Sequence, residues 1–358
     1  MPTYDYLVFI GRFQPFTNAH LDIIKTALQS AKHVIVLVGS ANSARCPRNP
    51  FTFAERQQMI SKSIMRDSFA PTAERLHILP LADCPYNDEK WKAGVQRAAA
   101  SVIARTNENP NHYANVGLIG HNKDASSFYL KMFPQWGSVN VESKHNGLNA
   151  TSIRKAYFRE YVWVDGIAID VPAPTAGFMK EFLGTKEWIN LYGWYEHDRN
   201  YKWKNEPINC SDVVAIQSGH ILLVTRGNVN GKGQLALPGG HKEKNETFRQ
   251  CAIRELKEET FISDGRGEIP KGVLAGYIGD RSRPELPESR MFDDPYRSSR
   301  GCVTTMAFLF RFPDNKELFK VIGADDAEYA QWVPLGDLKP EMFFEDHYHI
   351  IDTMLGGL

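Results

Sequence analysis

At 358 residues the chain exceeds one ordinary domain, and two are expected. Its 42 Lys and Arg balance 42 Asp and Glu, which excludes the basic footprint of a protein that binds nucleic acid or anionic lipid. Five scattered cysteines without a CxxC spacing exclude a disulfide framework and a cysteine-ligated zinc site, and no apolar run approaches the length of a membrane span.

The first strand is expected at Tyr4–Ile10 with no basic leader or signal core before it, which predicts a cytoplasmic protein. Tyr4–Ile10 and His33–Gly39 are continuous apolar runs, as parallel strands buried on both faces require, and Leu76–Leu81 and Val116–Gly120 repeat the pattern. Between and after them, helices are expected at Ala19–Ala31, Ala54–Arg66, Asp88–Arg105 and Thr151–Glu160, with one more at Phe178–Leu183. That alternation predicts an α/β fold, a doubly wound parallel sheet, over residues 1–185. The stretch 186–207 is rich in Trp, Tyr, Asn and charge, has little periodicity, and reads as a linker. Residues 208–358 form the second domain, a mixed sheet with strands near Val213–Ile216, Ile221–Thr225, Val303–Phe312 and Gln331–Val333, built around one Glu-rich helix.

Immediately after the first strand stands Gly11-Arg12-Phe13-Gln14-Pro15-Phe16-Thr17-Asn18-Ala19-His20. A buried strand, a glycine turn and a helix opening at Asn18 present free backbone N–H groups to a phosphate. Arg12 adds a bidentate anion partner, and Thr17 and His20, three apart, can both face the phosphates at the helix entrance. The segment resembles the His/Thr-x-Gly-His mark of the nucleotidyltransferase superfamily, with Ala19 in place of glycine. Its GRFQPF form resembles archaeal-type nicotinamide mononucleotide (NMN) adenylyltransferases. The superfamily's second mark, Ser-x-Thr-x-x-Arg, is matched by Asn149-Ala150-Thr151-Ser152-Ile153-Arg154, where Asn149 can cap a helix. Arg48-Asn49-Pro50-Phe51-Thr52-x-x-Glu55-Arg56 and Gly120-His121-x-Lys123-Asp124 resemble further segments of the same family, as do Asn87 and Trp91.

The resemblance implies a Rossmann-like domain that transfers the adenylyl group of ATP to NMN, giving NAD and pyrophosphate. It implies catalytic roles for His20, Thr17, Arg12 and Arg154. It implies substrate contacts from Gly11, Phe13, Asn49, Thr52, Arg56, Asn87, Trp91, Gly120, Lys123, Asp124, Asn149 and Thr151. An indole face suits a cationic nicotinamide ring, although Trp91 also sits where a core tryptophan would, beside Ala93 and Val95.

In the second domain Gly240 is followed by Glu246 and then by Arg254-Glu255-Leu256-x-Glu258-Glu259. Asn245-Glu246 offers a cap, and Thr247 to Thr260 contains neither Gly nor Pro, so a helix is expected. At about 100° per residue Glu255, Glu258 and Glu259 share one face, and three carboxylates so placed suit a hard divalent cation. The run resembles the Nudix box of hydrolases that cut nucleoside diphosphates, which implies an α/β/α sandwich, metal ligands Glu255, Glu258 and Glu259, catalytic roles for Glu255 and Glu259, and a substrate contact at Gly240. Phe261 stands where that box has glycine and removes the usual helix stop. Phe292-Asp293-Asp294-Pro295-x-Arg297-Ser298-x-Arg300-Gly301 resembles a segment of Nudix domains that use ADP-ribose, with Asp294 for the usual His, and it nominates Arg297 and Arg300.

The partners implied are ATP, NMN, NAD and ADP-ribose, with Mg²⁺ or Mn²⁺ at both sites and no nucleic acid or membrane. Association into a homo-oligomer is left open. Two alternatives stay open as well: a Nudix half that senses ADP-ribose without cutting it, and a nucleotidyl transfer to a different phosphate acceptor.

Overall fold

The computed structural model describes residues 3–66, 70–107, 113–121, 130–142, 149–159, 165–201, 206–324 and 327–357. The chain divides into two compact units, Met1–Ile189 and Asn190–Leu358. Among the described residues no helix is long and apolar enough to cross a membrane.

The first unit runs β1 (Tyr4–Gly11), α1 (Asn18–Ser30), β2 (Ala31–Val38), α2 (Phe53–Met65), β3 (Leu76–Pro80), α3 (Asp88–Thr106), β4 (Val116–Gly120), β5 (Gly137–Asn140), α4 (Ala150–Arg159), α5 (Asp165–Asp170) and α6 (Ala173–Phe182). Its strands form one parallel sheet in the order β3-β2-β1-β4-β5. Successive residues of β1 and β2 point to opposite faces, yet Leu7, Val8, Val34, Ile35, Val36 and Leu37 are all fully buried. Both faces are therefore covered, as their unbroken apolar runs require. On one of them Val95, Ala99 and Val102 of α3 pack on Tyr6, Val8, Ile35, Leu37 and Leu118. The strand order reverses between β1 and β4, so the carboxyl end of β1 lies at the switch point where such sheets bind ligands. Every expected helix and strand of this unit is present, most within two residues at each end; the helix expected at Phe178–Leu183 begins earlier, at Ala173. β5 was not expected, because GSVN alternates half-buried and exposed positions and offers no apolar run.

The segment expected to be a linker is instead helical over Lys186–Arg199 (α7). Trp188, Leu191 and Trp194 recur at three-residue spacing and are almost wholly buried, a narrow stripe that the exposed Ile189 and the intervening Asn190, Tyr192 and Gly193 hide from a periodicity reading. Trp188 meets Tyr157 edge-on at 6.3 Å within the first unit, and Trp194 stacks on Phe344 at 5.6 Å within the second.

The second unit contains β6 (Ile208–Gln217), β7 (His220–Arg226), β8 (Leu235–Ala236), β9 (Gly239–His241), α8 (Phe248–Thr260), α9 (Lys271–Ala275), β10 (Ser289–Phe292), β11 (Val303–Arg311), β12 (Ala327–Pro334) and α10 (His347–Met354). The sheet is mixed, in the order β10-β11-β6-β7-β12, with β11 parallel to β6 and the other pairs antiparallel. Ala252, Ile253 and Leu256 of α8 pack on Val213, Ala215, Leu222, Phe308 and Phe310 of the sheet.

Thr247, not Asn245, caps α8: its hydroxyl accepts the Gln250 N–H, and the Gln250 side chain accepts the Thr247 N–H. At the other end the helix stops without the glycine. Phe261 itself takes the left-handed conformation, φ 38° and ψ 44°, and its N–H donates to the Lys257 carbonyl at 3.0 Å. A side chain in that region costs about 1 kcal/mol, and a ring that is 49% exposed recovers little by burial. Phe261→Gly is therefore expected to stabilise the second unit by roughly 0.5–1 kcal/mol, the greater freedom of glycine in the unfolded chain taking back part of the gain. A lower urea midpoint for the variant would show that the ring's contacts outweigh the strain.

Candidate active sites

At the carboxyl end of β1, Thr17 caps α1. Its hydroxyl accepts the His20 N–H at 3.3 Å, while its own N–H donates to His20 Nδ1 at 3.1 Å. That donation makes Nδ1 the acceptor, so the neutral ring carries its proton on Nε2. Phe13 meets the imidazole edge-on at 5.0 Å and Phe16 stacks on it at 5.9 Å. Phe13 adopts φ 52°, and a Cβ at Gly11 would come within 2.9 Å of the Phe13 ring, so only glycine fits there. Thr17 and Phe13 were expected to face substrate. Both are buried and engaged with His20, so they shape its position from beneath.

Several other nominated residues serve the frame. Arg56 is fully buried and donates to the carbonyls of Arg12, Gly39, Ser40 and Thr52, binding the ends of β1 and β2 together rather than reaching toward a ligand. Thr52, Asn87 and Asn149 cap α2, α3 and α4 through the N–H groups of Glu55, Lys90 and Ser152. Arg154 donates to the Gln14 carbonyl at 2.6 Å and stands 3.5 Å from the exposed Thr151 hydroxyl. Trp91 is half-buried against Phe133 and the α3 core, as a core tryptophan would be. Gly120 ends β4, buried; Lys123 and Asp124 lie outside the described residues. Among the described residues, the buried Asn49 side-chain oxygen meets no hydrogen-bond donor.

Cations outnumber carboxylates in this crevice, where Asp83 is the acid acting on Arg12. Arg154 is pushed down to about 10, first by burial and then by the charge of Arg12, and Arg12 is lowered by desolvation and then by Arg48. Cations that depress one another favour a polyanion between them. The sequence reading missed two residues here. The Gln14 amide donates to the Phe51 carbonyl and accepts the Phe51 N–H, and Asp83 accepts the Ser40 N–H.

In the second unit Arg254 is the hub of α8. Its guanidinium donates to Glu246 at 2.6 and 3.1 Å, to Glu255 at 2.7 Å, to Glu258 at 2.9 Å and to the His241 carbonyl at 2.9 Å. The hydrogen bonds from Arg254 hold Glu246 at about 2. Glu246 thus fixes Arg254, and Arg254 aims Glu255. Gly240 makes room for that carboxylate: a Cβ there would lie 2.5 Å from Glu255 Oε1. Glu259 accepts the Gly239 N–H at 3.0 Å.

The expected cluster of three carboxylates is not assembled. Among the described residues no group of three His, Cys, Asp or Glu side chains is placed as metal ligands. Glu258 is exposed and turned onto Arg254, which leaves Glu255 and Glu259 as a buried pair. Burial raises Glu255 to about 7 and Glu259 to about 8; the charges of Glu258 and Glu246 add to the rise at Glu255, and that of Glu255 to the rise at Glu259. A pair that burial pushes toward neutrality, even with Arg254 2.7 Å from Glu255, is a donor set that fits a hard divalent cation.

These two groups bind more protons in the folded than in the unfolded chain between about pH 4.5 and 8. Metal-free stability should therefore fall as pH rises through that window, and a cation that must displace the protons should stabilise more at its upper end. Thermal unfolding with and without Mn²⁺ at pH 6 and pH 8.5 is expected to show the larger Mn²⁺ increment at pH 8.5. Equal increments, or the same pattern in Glu259→Gln, would contradict this assignment.

Glu255, Glu258 and Glu259 open onto a cleft of about 520 Å³ that also holds Arg226, Arg300 and His347. Arg297 lines it too, but its fork is closed on Asp346 by two 2.9 Å bonds, which makes it part of the wall. Arg300 donates to Ser298 Oγ at 3.2 Å and pairs with Glu345 at 3.4 Å. Arg226 lies 3.9 Å over the Phe344 ring. His197 and Tyr201, from the segment expected as linker, complete the lining.

Residues 8–156 match the cytidylyltransferase-like family and residues 210–354 match the NUDIX domain family. A nicotinamide/nicotinic acid mononucleotide adenylyltransferase of Acinetobacter baylyi is 42% identical over 191 residues, 53% of this chain and 93% of that one. A nicotinamide-nucleotide adenylyltransferase of Thermococcus kodakarensis is 32% identical over 179 residues, covering 50% and 84%. Over the full length, the crystal structure of a bifunctional NMN adenylyltransferase/ADP-ribose pyrophosphatase from Francisella tularensis, complexed with AMP and a Mn ion, matches with TM-score 0.84 and 31% identity, covering 99% of both chains. The chain belongs to this bifunctional family. The two crevices described above are thus the β1 switch-point site of its adenylyltransferase domain and the Glu-lined cleft of its Nudix domain.

Proposed function

We propose that the chain makes NAD from ATP and NMN in its first domain and hydrolyses ADP-ribose to AMP and ribose 5-phosphate in its second. The observation that carries this reading is the full-length likeness to the Francisella tularensis enzyme, combined with a cationic crevice and a buried acidic pair in the two matching domains. In the first reaction an oxygen of the NMN 5′-phosphate attacks the α-phosphorus of ATP, and the bond to pyrophosphate breaks. No covalent nucleophile is required, because alignment and neutralised charge are what such a transfer needs. His20, its Nδ1 occupied by Thr17, offers Nε2–H to the α-phosphate as charge builds there. Arg12 and Arg154 receive the departing pyrophosphate, and a Mg²⁺ in this crevice would be carried chiefly by the phosphates, since Arg12, Arg48 and Arg154 outnumber Asp83 there.

In the second reaction water adds to one phosphorus of the ADP-ribose diphosphate and the bridging bond breaks. Glu255 and Glu259 would hold a divalent cation, which when bound neutralises the diphosphate and activates water. Arg254 keeps Glu255 aimed, and Arg226 and Arg300 supply positive charge along the cleft.

Two panels test the reading. Wild-type protein with ATP should use NMN in preference to other phosphate acceptors; preference for phosphopantetheine or another phosphomonoester would redirect the first assignment. Among nucleoside diphosphate compounds with Mn²⁺, ADP-ribose should be cut most efficiently; a different preferred substrate would overturn the substrate choice and leave the hydrolase chemistry.

A further inference from the structure

The last turn of α7 carries side chains that neither of these reactions has used. Asp198 is only 4% exposed and accepts three hydrogen bonds: from Trp194 Nε1 at 2.7 Å, from His197 Nδ1 at 3.0 Å and from Ser299 Oγ. A carboxylate can only accept, so His197 Nδ1 carries a proton, and in the neutral ring Nε2 is the acceptor. The anchors of Asp198 are themselves fixed. Trp194 is 3% exposed and stacks on Phe344, and Ser299 lies in the loop that joins Arg297 to Arg300. Tyr201 places its hydroxyl 3.2 Å from Nε2 of His241, the residue after Gly240, which pins the end of α7 to the rim. The His197 side chain remains 35% exposed and lines the same cleft as Glu255, Glu258 and Glu259.

An imidazole oriented by a buried carboxylate, with its other nitrogen left for a cleft occupant, is built to meet a hydrogen-bond donor. Phosphate oxygens are acceptors and match Arg226 and Arg300. His197 matches a hydroxyl or an amino group. We infer that His197 binds the nucleoside diphosphate by accepting a hydrogen bond at Nε2, and that Asp198 is the positioning residue that fixes its ring. This rests on the ADP-ribose reading of the cleft, and ADP-ribose carries such donors in two places: its ribose hydroxyls and the amino group of its adenine.

The test measures KM and kcat for ADP-ribose hydrolysis with Mn²⁺, together with calorimetric binding of ADP-ribose without metal. His197→Ala should raise KM and Kd roughly 5–10-fold, the worth of one hydrogen bond, with kcat within about twofold. His197→Gln, whose amide oxygen can accept, should recover part of the loss, and Asp198→Asn should raise KM by less than His197→Ala. Inosine diphosphate ribose separates the two donors. If the adenine amino group is the partner, His197→Ala brings no further loss with this analogue; if a ribose hydroxyl is, the loss is as large as with ADP-ribose. Unchanged KM and Kd in His197→Ala, or a fall in kcat alone, would overturn the inference and leave the hydrolase reading standing. Wild-type protein that neither binds nor cuts ADP-ribose would overturn both.

Discussion

Glu259→Gln is expected to lower ADP-ribose hydrolysis by roughly 10²-fold or more while NAD synthesis by the same preparation stays at the wild-type level. The substitution keeps the shape, and the amide oxygen can still accept the Gly239 N–H that Glu259 accepts at 3.0 Å. What it removes is one of the two buried charges. A neutral amide is a poor ligand for a hard cation, so the loss should appear as a higher Mn²⁺ requirement as well as a lower rate. The variant should fold at least as well as wild type in metal-free buffer, because the carboxylate it replaces is held near neutrality by burial. Undiminished hydrolysis at limiting Mn²⁺ would remove Glu259 from the metal site.

His20→Ala is expected to lower kcat for NAD synthesis by roughly 10²-fold or more, with a smaller change in KM and no effect on ADP-ribose hydrolysis. The structure sharpens the reason. Thr17 N–H fixes the tautomer, and three phenylalanines, Phe9, Phe13 and Phe16, fix the ring, so the Nε2 proton is offered from a prepared position. A change confined to KM would mean that His20 places ATP and takes no part in the transition state. Thr17→Val should mimic part of the kcat loss, because it removes the hydroxyl that caps α1 and lies 3.0 Å from His20 Nδ1, while the imidazole itself stays.

What could be read from the sequence was whatever chemistry is written in contiguous residues. GRFQPFTNAH declares a strand, a turn and a helix start in ten positions, and the spacing from Gly240 to Glu259 lies within one short strand, one loop and one helix. The roles of individual residues were less legible, because they depend on partners far away in the chain. Arg56 sits in a motif beside substrate-facing neighbours, yet four carbonyls, two of them contributed by Gly39 and Ser40, claim its guanidinium. Arg297 is taken by Asp346, forty-nine residues on, and Glu258 by Arg254. The helix over Lys186–Arg199 was hidden because its apolar stripe is a single row of three residues, Trp188, Leu191 and Trp194, and with it went His197 and Asp198. Phe261 shows the opposite case: a sequence departure was visible, but the backbone absorbed it by holding a phenylalanine where glycine is easier.

The decisive experiment follows two products from one preparation of the wild-type protein: NAD formed from ATP and NMN with Mg²⁺, and AMP released from ADP-ribose as Mn²⁺ is titrated. Both products should appear, and AMP release should depend on the metal and rise with pH as Glu255 and Glu259 lose their protons. NAD formation without any AMP release, while ADP-ribose still raises the melting temperature, would contradict the two-enzyme reading and leave the second domain as a sensor.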